Sequence, residues 1–67
     1  MNKFAERLKE LRLEKNLTQT KLANDTGLSQ AIIANWERNL KTPTLDNLII
    51  LAKYFGCSID YLAGLED

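Results

Sequence analysis

Residues Thr18–Arg38 read TQTKLANDTGLSQAIIANWER, and this stretch decides the fold. Its apolar residues recur at helical spacing on either side of a break at Thr26–Leu28. Gly27 stands in that break, where a tight turn needs a backbone conformation that a Cβ would penalise. The inward residues are Leu22 and Ala23 in the first helix, and Ile33 and Trp36 in the second, with Glu37 beside them. The stretch therefore predicts a helix-turn-helix over about residues 18–38.

On the outward face of the second helix, the spacing places Gln30, Ala31 and Asn35, which are short and uncharged. A carboxamide can pair with N6 and N7 of adenine, and a methyl group can contact the methyl of thymine. This pattern is typical of a helix that reads double-stranded DNA in the major groove. Two simpler interpretations stay open: Gln30 and Asn35 as solvated residues, and Ala31 as a helix former beside an outward Ile32.

The same spacing, with its capping residues, predicts five helices and an all-α, compact five-helix fold. The predicted helices are Lys3–Lys15, Gln19–Asp25, Gln30–Arg38, Leu45–Phe55 and Ile59–Ala63. Their predicted N-caps are Thr18, Ser29, Thr44 and Ser58, and their terminators are Asn16, Gly27, Asn39, Gly56 and Gly64. Further inward residues are Phe4, Leu8, Leu11, Leu45, Leu48, Leu51, Ala52, Phe55, Ile59 and Leu62. Leu13 and Ile50 are predicted to point outward.

Length and composition limit what such a fold can do. The 67 residues predict one domain, residues 1–67, with a total stability of about 3–10 kcal/mol. The absence of histidine and the single cysteine argue against a metal site, a disulfide and a histidine-based catalytic centre. No cofactor is expected. No signal peptide or long apolar run is visible, so the expected location is the cytoplasm, without membrane contact.

The charges are polarised along the chain. The net charge is zero, which counts against nucleic acid as a partner. Residues 1–41, however, contain eight lysines and arginines against five acidic residues, whereas residues 42–67 contain one lysine against four. The positive half includes the proposed reading helix.

In the order of its motifs, the chain resembles the helix-turn-helix domain of lambdoid phage repressors and Cro proteins. The resemblance covers nearly the whole chain, and the stretches that carry it are LKELRLEKNLTQTKLA (8–23), TGLS (26–29), IANWER (33–38) and PTLDNLIILAKYFGCSIDYL (43–62). It implies a bacterial or phage-encoded transcriptional regulator, repressor-like, that binds a palindromic operator, usually as a dimer. Asn16 and Asn39 depart from the glycines common in the family, and Leu40 replaces a residue that is often polar.

The resemblance also implies roles for single residues. Gln30, Ala31 and Asn35 match positions that contact bases, and an ion pair between Arg12 and Glu37 ties the first helix to the third. Positions that contact phosphate are matched by Gln19, Arg38 and Lys41, to which the start of the second helix adds Thr18. From the residues alone, Arg12 and Glu37 lie at the edges of apolar stripes that must face each other, which also favours pairing.

Other readings of these residues are weaker. Trp36 could be a platform for base stacking, but its spacing from Ile33 favours the core. Cys57 could be a redox sensor, but it lacks a neighbouring cation and reads as a small buried residue. Outward Ile50, with Tyr61 and Leu65, forms a candidate patch for a weak homodimer. Two rival functions remain: a protein-interaction module of the same fold that has lost DNA binding, and an enzyme, which no catalytic set supports.

Overall fold

Five α-helices make up the regular structure of residues 2–66, the part of the chain that the computed structural model describes. They are α1 (Asn2–Glu14), α2 (Gln19–Thr26), α3 (Gln30–Glu37), α4 (Leu45–Phe55) and α5 (Ile59–Ala63). No strand occurs in this range, and the predicted all-α fold is confirmed. The bounds of α4 and α5 are those predicted. α1 begins and ends one residue earlier than predicted, and α2 and α3 each differ by one residue at the C-terminal end.

Short polar side chains fix where four helices begin. Each accepts a hydrogen bond from the backbone N–H three residues further on, which satisfies a donor that has no partner inside the helix. These N-caps are Thr18, Ser29, Thr44 and Ser58. The predicted N-caps are therefore confirmed, and the starts of α2 and α3 are defined by side chains as well as by packing.

Two asparagines end α1 and α3 in the left-handed conformation. Asn16 has φ 57° and Asn39 has φ 61°. Around Asn39, the Leu40 N–H donates to the Asn35 carbonyl and the Asn39 N–H to the Trp36 carbonyl, which is the Schellman pattern. The helix therefore stops at Glu37, and Arg38 lies beyond it rather than inside α3 as predicted.

The core lies where all five helices meet. Its buried members are Phe4, Ala5, Leu8, Leu22, Ala23, Ile33, Trp36, Leu48, Leu51, Ala52 and Leu62. The predicted place of Trp36 in the core is confirmed: its ring packs edge-on against Phe4, with the ring centroids 5.8 Å apart. Since α3 packs against both α1 and α2, its inward face is fixed on two sides.

Two apolar residues lie elsewhere than predicted. Leu45 was expected on the buried face of α4, but it is 63% exposed. It is the first residue of the helix, and helical spacing assigns a face without telling how far along that face a neighbouring helix extends. Ile32 was expected to point outward, but it is half-buried and packs against the core. The predicted exposure of Leu13 and Ile50 is confirmed.

Candidate nucleic-acid interface

The face of α3 opposite the core carries the three predicted base-contacting residues. Gln30 and Ala31 are exposed, and Asn35, one turn further along, is half-buried. On the other side of the helix, Ile33 and Trp36 are buried. A helix held so firmly by one face presents the other in a defined orientation, which a groove-reading helix requires.

Two glutamines at the starts of consecutive helices contact each other. Gln30 Nε2 donates to Gln19 Oε1 at 2.7 Å, although the sequence assigned one residue to a base and the other to phosphate. Gln19 Nε2 in turn donates to Glu37 Oε1 at 3.2 Å. Sequence reasoning missed both contacts. The available signal was that Gln19 and Gln30 each open a helix of the same helix-turn-helix, with long amides able to span the gap.

Glu37 also forms the ion pair with Arg12. Arg12 Nε lies 2.7 Å from Glu37 Oε2, and Nη2 lies 2.9 Å from Oε1, so the contact is bidentate. The third guanidinium nitrogen, Nη1, donates to the backbone carbonyl of Leu17 at 2.7 Å. The two side chains are 10% and 5% exposed. The hydrogen bond with Glu37 raises the pKa of Arg12 above its ordinary value, so the cation is permanent.

These contacts join into one chain of four side chains, which we call the polar relay: Arg12, Glu37, Gln19 and Gln30. It starts in the buried interface between α1 and α3 and ends at an exposed residue of the proposed reading helix. At the buried end of the relay lies the charge-assisted contact between Arg12 and Glu37, and at its exposed end lies the carboxamide of Gln30. The protein therefore holds this carboxamide in place before any partner binds.

The predicted phosphate-contacting residues outside the polar relay differ in their surroundings. The Thr18 hydroxyl accepts the Lys21 N–H as the N-cap of α2, so it marks the helix end whose free N–H groups favour anions. Arg38 and Lys41 are exposed beyond α3, and neither forms an ion pair with another described residue. Lys21, by contrast, pairs with Asp25 at 3.0 Å.

The three candidate dimer residues differ in their surroundings. Ile50 is 37% exposed and lines a shallow groove with Asp25, Thr26, Lys53 and Tyr54. Leu65 is 77% exposed. Tyr61 is half-buried, and the Arg7 guanidinium lies 4.3 Å from the centre of its ring. One face of Tyr61 is therefore already covered within the chain.

Cys57 occupies a position unsuited to thiolate chemistry. It is half-buried. Burial raises the pKa of its thiol, and the coulombic influence of Glu66 acts in the same direction. These surroundings favour the protonated, unreactive form near neutral pH. In residues 2–66, no helix is both long enough and apolar enough to cross a membrane.

Comparisons with known proteins agree with this geometry. A family described as Helix-turn-helix matches residues 8–62. The chain is 38% identical over 64 residues to the uncharacterized HTH-type transcriptional regulator YobD of Bacillus subtilis (strain 168), covering 96% of this chain and 57% of that protein. It is also 38% identical over 64 residues to the HTH-type transcriptional activator BcrR of Enterococcus faecalis, covering 96% of this chain and 31% of BcrR. The chain thus spans less than two thirds of either relative.

Among solved structures, the fold matches the P22 c2 repressor protein in complex with a synthetic operator. The TM-score is 0.88 at 32% identity, covering 98% of this chain and 100% of that one. The match extends along all five helices. It confirms the resemblance to phage repressors that the order of motifs predicted.

Proposed function

Because this chain belongs to the helix-turn-helix family, we propose that it is a sequence-specific, double-stranded DNA-binding transcriptional regulator of the repressor type. The observation that carries the proposal is the exposed face of α3. Gln30 and Ala31 lie on this face, and the opposite face of the same helix is buried in the core. The similarity in fold to a repressor bound to its operator supports the same role. In this proposal, α3 enters the major groove.

Base reading falls to three residues of α3. Gln30 and Asn35 bring carboxamides, which match the donor and acceptor of adenine, and Ala31 brings a methyl group for thymine. Asn35 is half-buried, so its amide extends less far from α3 than that of Gln30. It therefore suits a base that lies closer to α3. The amide of Gln30 is held in position by its hydrogen bond to Gln19.

Contacts with the DNA backbone are assigned to residues at the edges of the base-reading face of α3. Arg38 and Lys41 supply exposed cations beyond the end of α3, and Thr18 and Gln19 lie at the N-terminus of α2. With so few cations on a chain of zero net charge, phosphate contacts position the domain and contribute modest affinity. A DNA-bound regulator works where the DNA is, which for a bacterial or phage protein is the cytoplasm.

The proposal includes a weak homodimer on a palindromic operator. Two copies related by a twofold axis would place their α3 helices about 34–36 Å apart, one turn of DNA. The candidate contacts are the exposed side chains of Ile50 and Leu65, together with the part of the Tyr61 ring that Arg7 does not cover. Sedimentation at increasing concentration tests this part, since a chain that stays monomeric and selects a non-palindromic site has no such dimer.

Selection from random duplex DNA with the purified chain tests the central proposal. We expect one enriched half-site containing A·T pairs, repeated as a palindrome. The Gln30→Ala, Asn35→Ala double variant is the control, because it keeps the core and the cations while removing both amides. A chain that enriches nothing, and shows no salt-sensitive binding to random DNA at low salt, is instead the interaction module that has lost DNA binding. The proposal assigns no catalytic role to any residue.

A further inference from the structure

We propose that Glu37 makes Gln30 select adenine over guanine, by fixing the direction of two side-chain amides without touching DNA itself. The inference rests on the proposed function, since it concerns the base opposite Gln30. The geometry behind it is the polar relay, in which Glu37 contacts Gln19 and Gln19 contacts Gln30. Glu37 is thus a positioning residue for base reading.

The direction of the hydrogen bonds along the relay follows from the chemistry of the Glu37 carboxylate. An ionised carboxylate only accepts hydrogen bonds, whereas a carboxamide has one end that donates and one that accepts. Facing Glu37, Gln19 must turn its Nε2 toward the carboxylate, because its Oε1 would meet another oxygen. Its Oε1 is then the atom that faces Gln30, and Gln30 must donate to it through Nε2.

This direction determines which hydrogen-bond donors and acceptors of Gln30 remain free to contact a base. With one Nε2–H committed to Gln19, Gln30 keeps one N–H donor and its Oε1 acceptor. One donor and one acceptor match N7 and N6 of adenine in the major groove. Guanine presents two acceptors there, O6 and N7, so the Oε1 of Gln30 would face one of them without a proton between.

Reversing both amides would give the opposite preference. Gln30 would then accept from Gln19 and keep both Nε2 hydrogens free, which suits the two acceptors of guanine. The reversal would set Gln19 Oε1 against the Glu37 carboxylate and lose a hydrogen bond to a charged group. Arg12 holds the carboxylate in place through its bidentate contact, and the Glu37 side chain is 5% exposed.

The first test needs no DNA. Side-chain amide resonances of Gln19 and Gln30 are recorded by ¹⁵N–¹H NMR in the parent and in Glu37→Gln, whose new amide can face Gln19 with either end. We expect both residues to shift toward the values of solvated glutamine. Glu10→Gln is the matched control, because it removes the same charge from an exposed position on α1. Unchanged Gln19 and Gln30 signals in Glu37→Gln would overturn the proposal.

The second test measures base preference. On the selected site, the ratio of affinities for A·T over G·C at the step read by Gln30 should fall about tenfold in Glu37→Gln, roughly the ratio that a hydrogen bond to a charged group sustains. Preferences at the other steps should not change. A uniform loss across all steps would mean that Glu37 only supports the fold, and the proposal would fail.

A second variant covers the case in which Glu37→Gln does not fold. Gln19→Met leaves the ion pair intact and cuts the relay at its middle. It should lower the same ratio and move the Gln30 resonances; if neither changes, the relay does not orient Gln30. A parent chain that binds no DNA would overturn the proposed function and the base assignment together, while the NMR test would still report whether Glu37 orients the amides.

Discussion

Arg12 and Glu37 face each other across the interface of α1 and α3 in a bidentate contact, with nitrogen–oxygen distances of 2.7 and 2.9 Å. Both side chains are almost completely buried. A buried pair adds little net stability compared with apolar residues of the same size, but either partner left alone is costly. The pair therefore fixes how α3 sits on α1, and every base contact proposed for α3 depends on that placement.

Removing both partners of this pair should destabilise the fold by less than the two single removals added together. We expect Arg12→Met or Glu37→Met alone to cost about 3–5 kcal/mol, because an uncompensated charge stays in the interface. The double variant should cost less than the sum of the two. The measurement is urea unfolding at low temperature, combined in a double-mutant cycle. The exposed pair of Lys21 and Asp25 is the control, with a much smaller coupling expected. Strict additivity for Arg12 and Glu37 would contradict the prediction.

Trp36 offers a second test of how α3 packs against the core. Its ring is 1% exposed, and its Nε1–H finds no hydrogen-bond partner among the described residues. Trp36→Ala should cost about 3–5 kcal/mol, as expected for a large buried aromatic residue. Trp36→Phe should cost clearly less, because it keeps the contact with Phe4 and removes a buried donor whose missing bond costs roughly 1–3 kcal/mol.

The order of the two Trp36 variants is checked by urea unfolding followed by circular dichroism. A melt of Trp36→Ala that coincides with the parent would place the ring outside the core. Equal losses for Trp36→Phe and Trp36→Ala would contradict the prediction, because they would mean that the retained ring contributes nothing to packing.

Much of this architecture could be predicted from the sequence because its signals are local. Ser29 and Thr44 bond to the backbone three residues away, and Asn16 and Asn39 take up the left-handed conformation that ends a helix. Such contacts depend on a few neighbouring residues, so spacing and residue type suffice. The faces of the helices follow from the same short-range periodicity.

What the sequence did not reveal depends on distances between helices. The contact of Gln19 with Gln30 requires knowing how far apart the starts of α2 and α3 lie. The exposure of Leu45 requires knowing where α4 extends beyond its neighbours. Tyr54 and Asp25 are 29 residues apart, and nothing in the spacing of either helix predicts their hydrogen bond. These features are properties of packing, which a single sequence specifies only through the whole fold.

The contact between Tyr54 and Asp25 gives a prediction about pH. The Tyr54 hydroxyl donates to Asp25 Oδ2 at 2.7 Å, and this bond, followed by that of Lys21, lowers the pKa of Asp25. Tyr54→Phe should therefore raise the pKa of Asp25 toward its ordinary value. The measurement is a ¹³C NMR titration of the Asp25 carboxyl group. Tyr61→Phe is the control, because it removes a hydroxyl and keeps the ring against Arg7.

The sign of the effect on stability follows from the same shift. A carboxyl group whose pKa is lower in the folded state stabilises that state above its unfolded pKa, and the contribution is lost as the pH falls through the folded value. The parent should therefore lose this contribution below about pH 4, near the ordinary pKa of aspartate. Tyr54→Phe should show a smaller loss over the same range. An Asp25 pKa that is identical in parent and variant would mean that the hydroxyl does not reach the carboxylate.

The last prediction separates phosphate contacts from base reading, because losing either one should change DNA binding in a different way. Lys41→Ala removes an exposed cation and should weaken binding to all sequences about equally, lowering the slope of log K against log salt by about one. Gln30→Ala removes a neutral amide. It should leave the salt slope almost unchanged and cost about 1–3 kcal/mol on the preferred site alone. The measurement is a set of binding isotherms on selected and scrambled duplexes at several salt concentrations.

Lys53→Ala is the matched control for the cation, because Lys53 lies in the groove beside Asp25 and Thr26, at the opposite end of α2 from Thr18 and Gln19. It should leave the salt slope unchanged, because no phosphate is expected near that end of the helix. If Lys53→Ala and Lys41→Ala lower the slope equally, the slope reports overall charge rather than a phosphate contact at Lys41. If Gln30→Ala behaves like Lys41→Ala on both duplexes, then α3 does not read the bases. The assignment of the interface to α3 would then be wrong, even though the fold places α3 where a reading helix belongs.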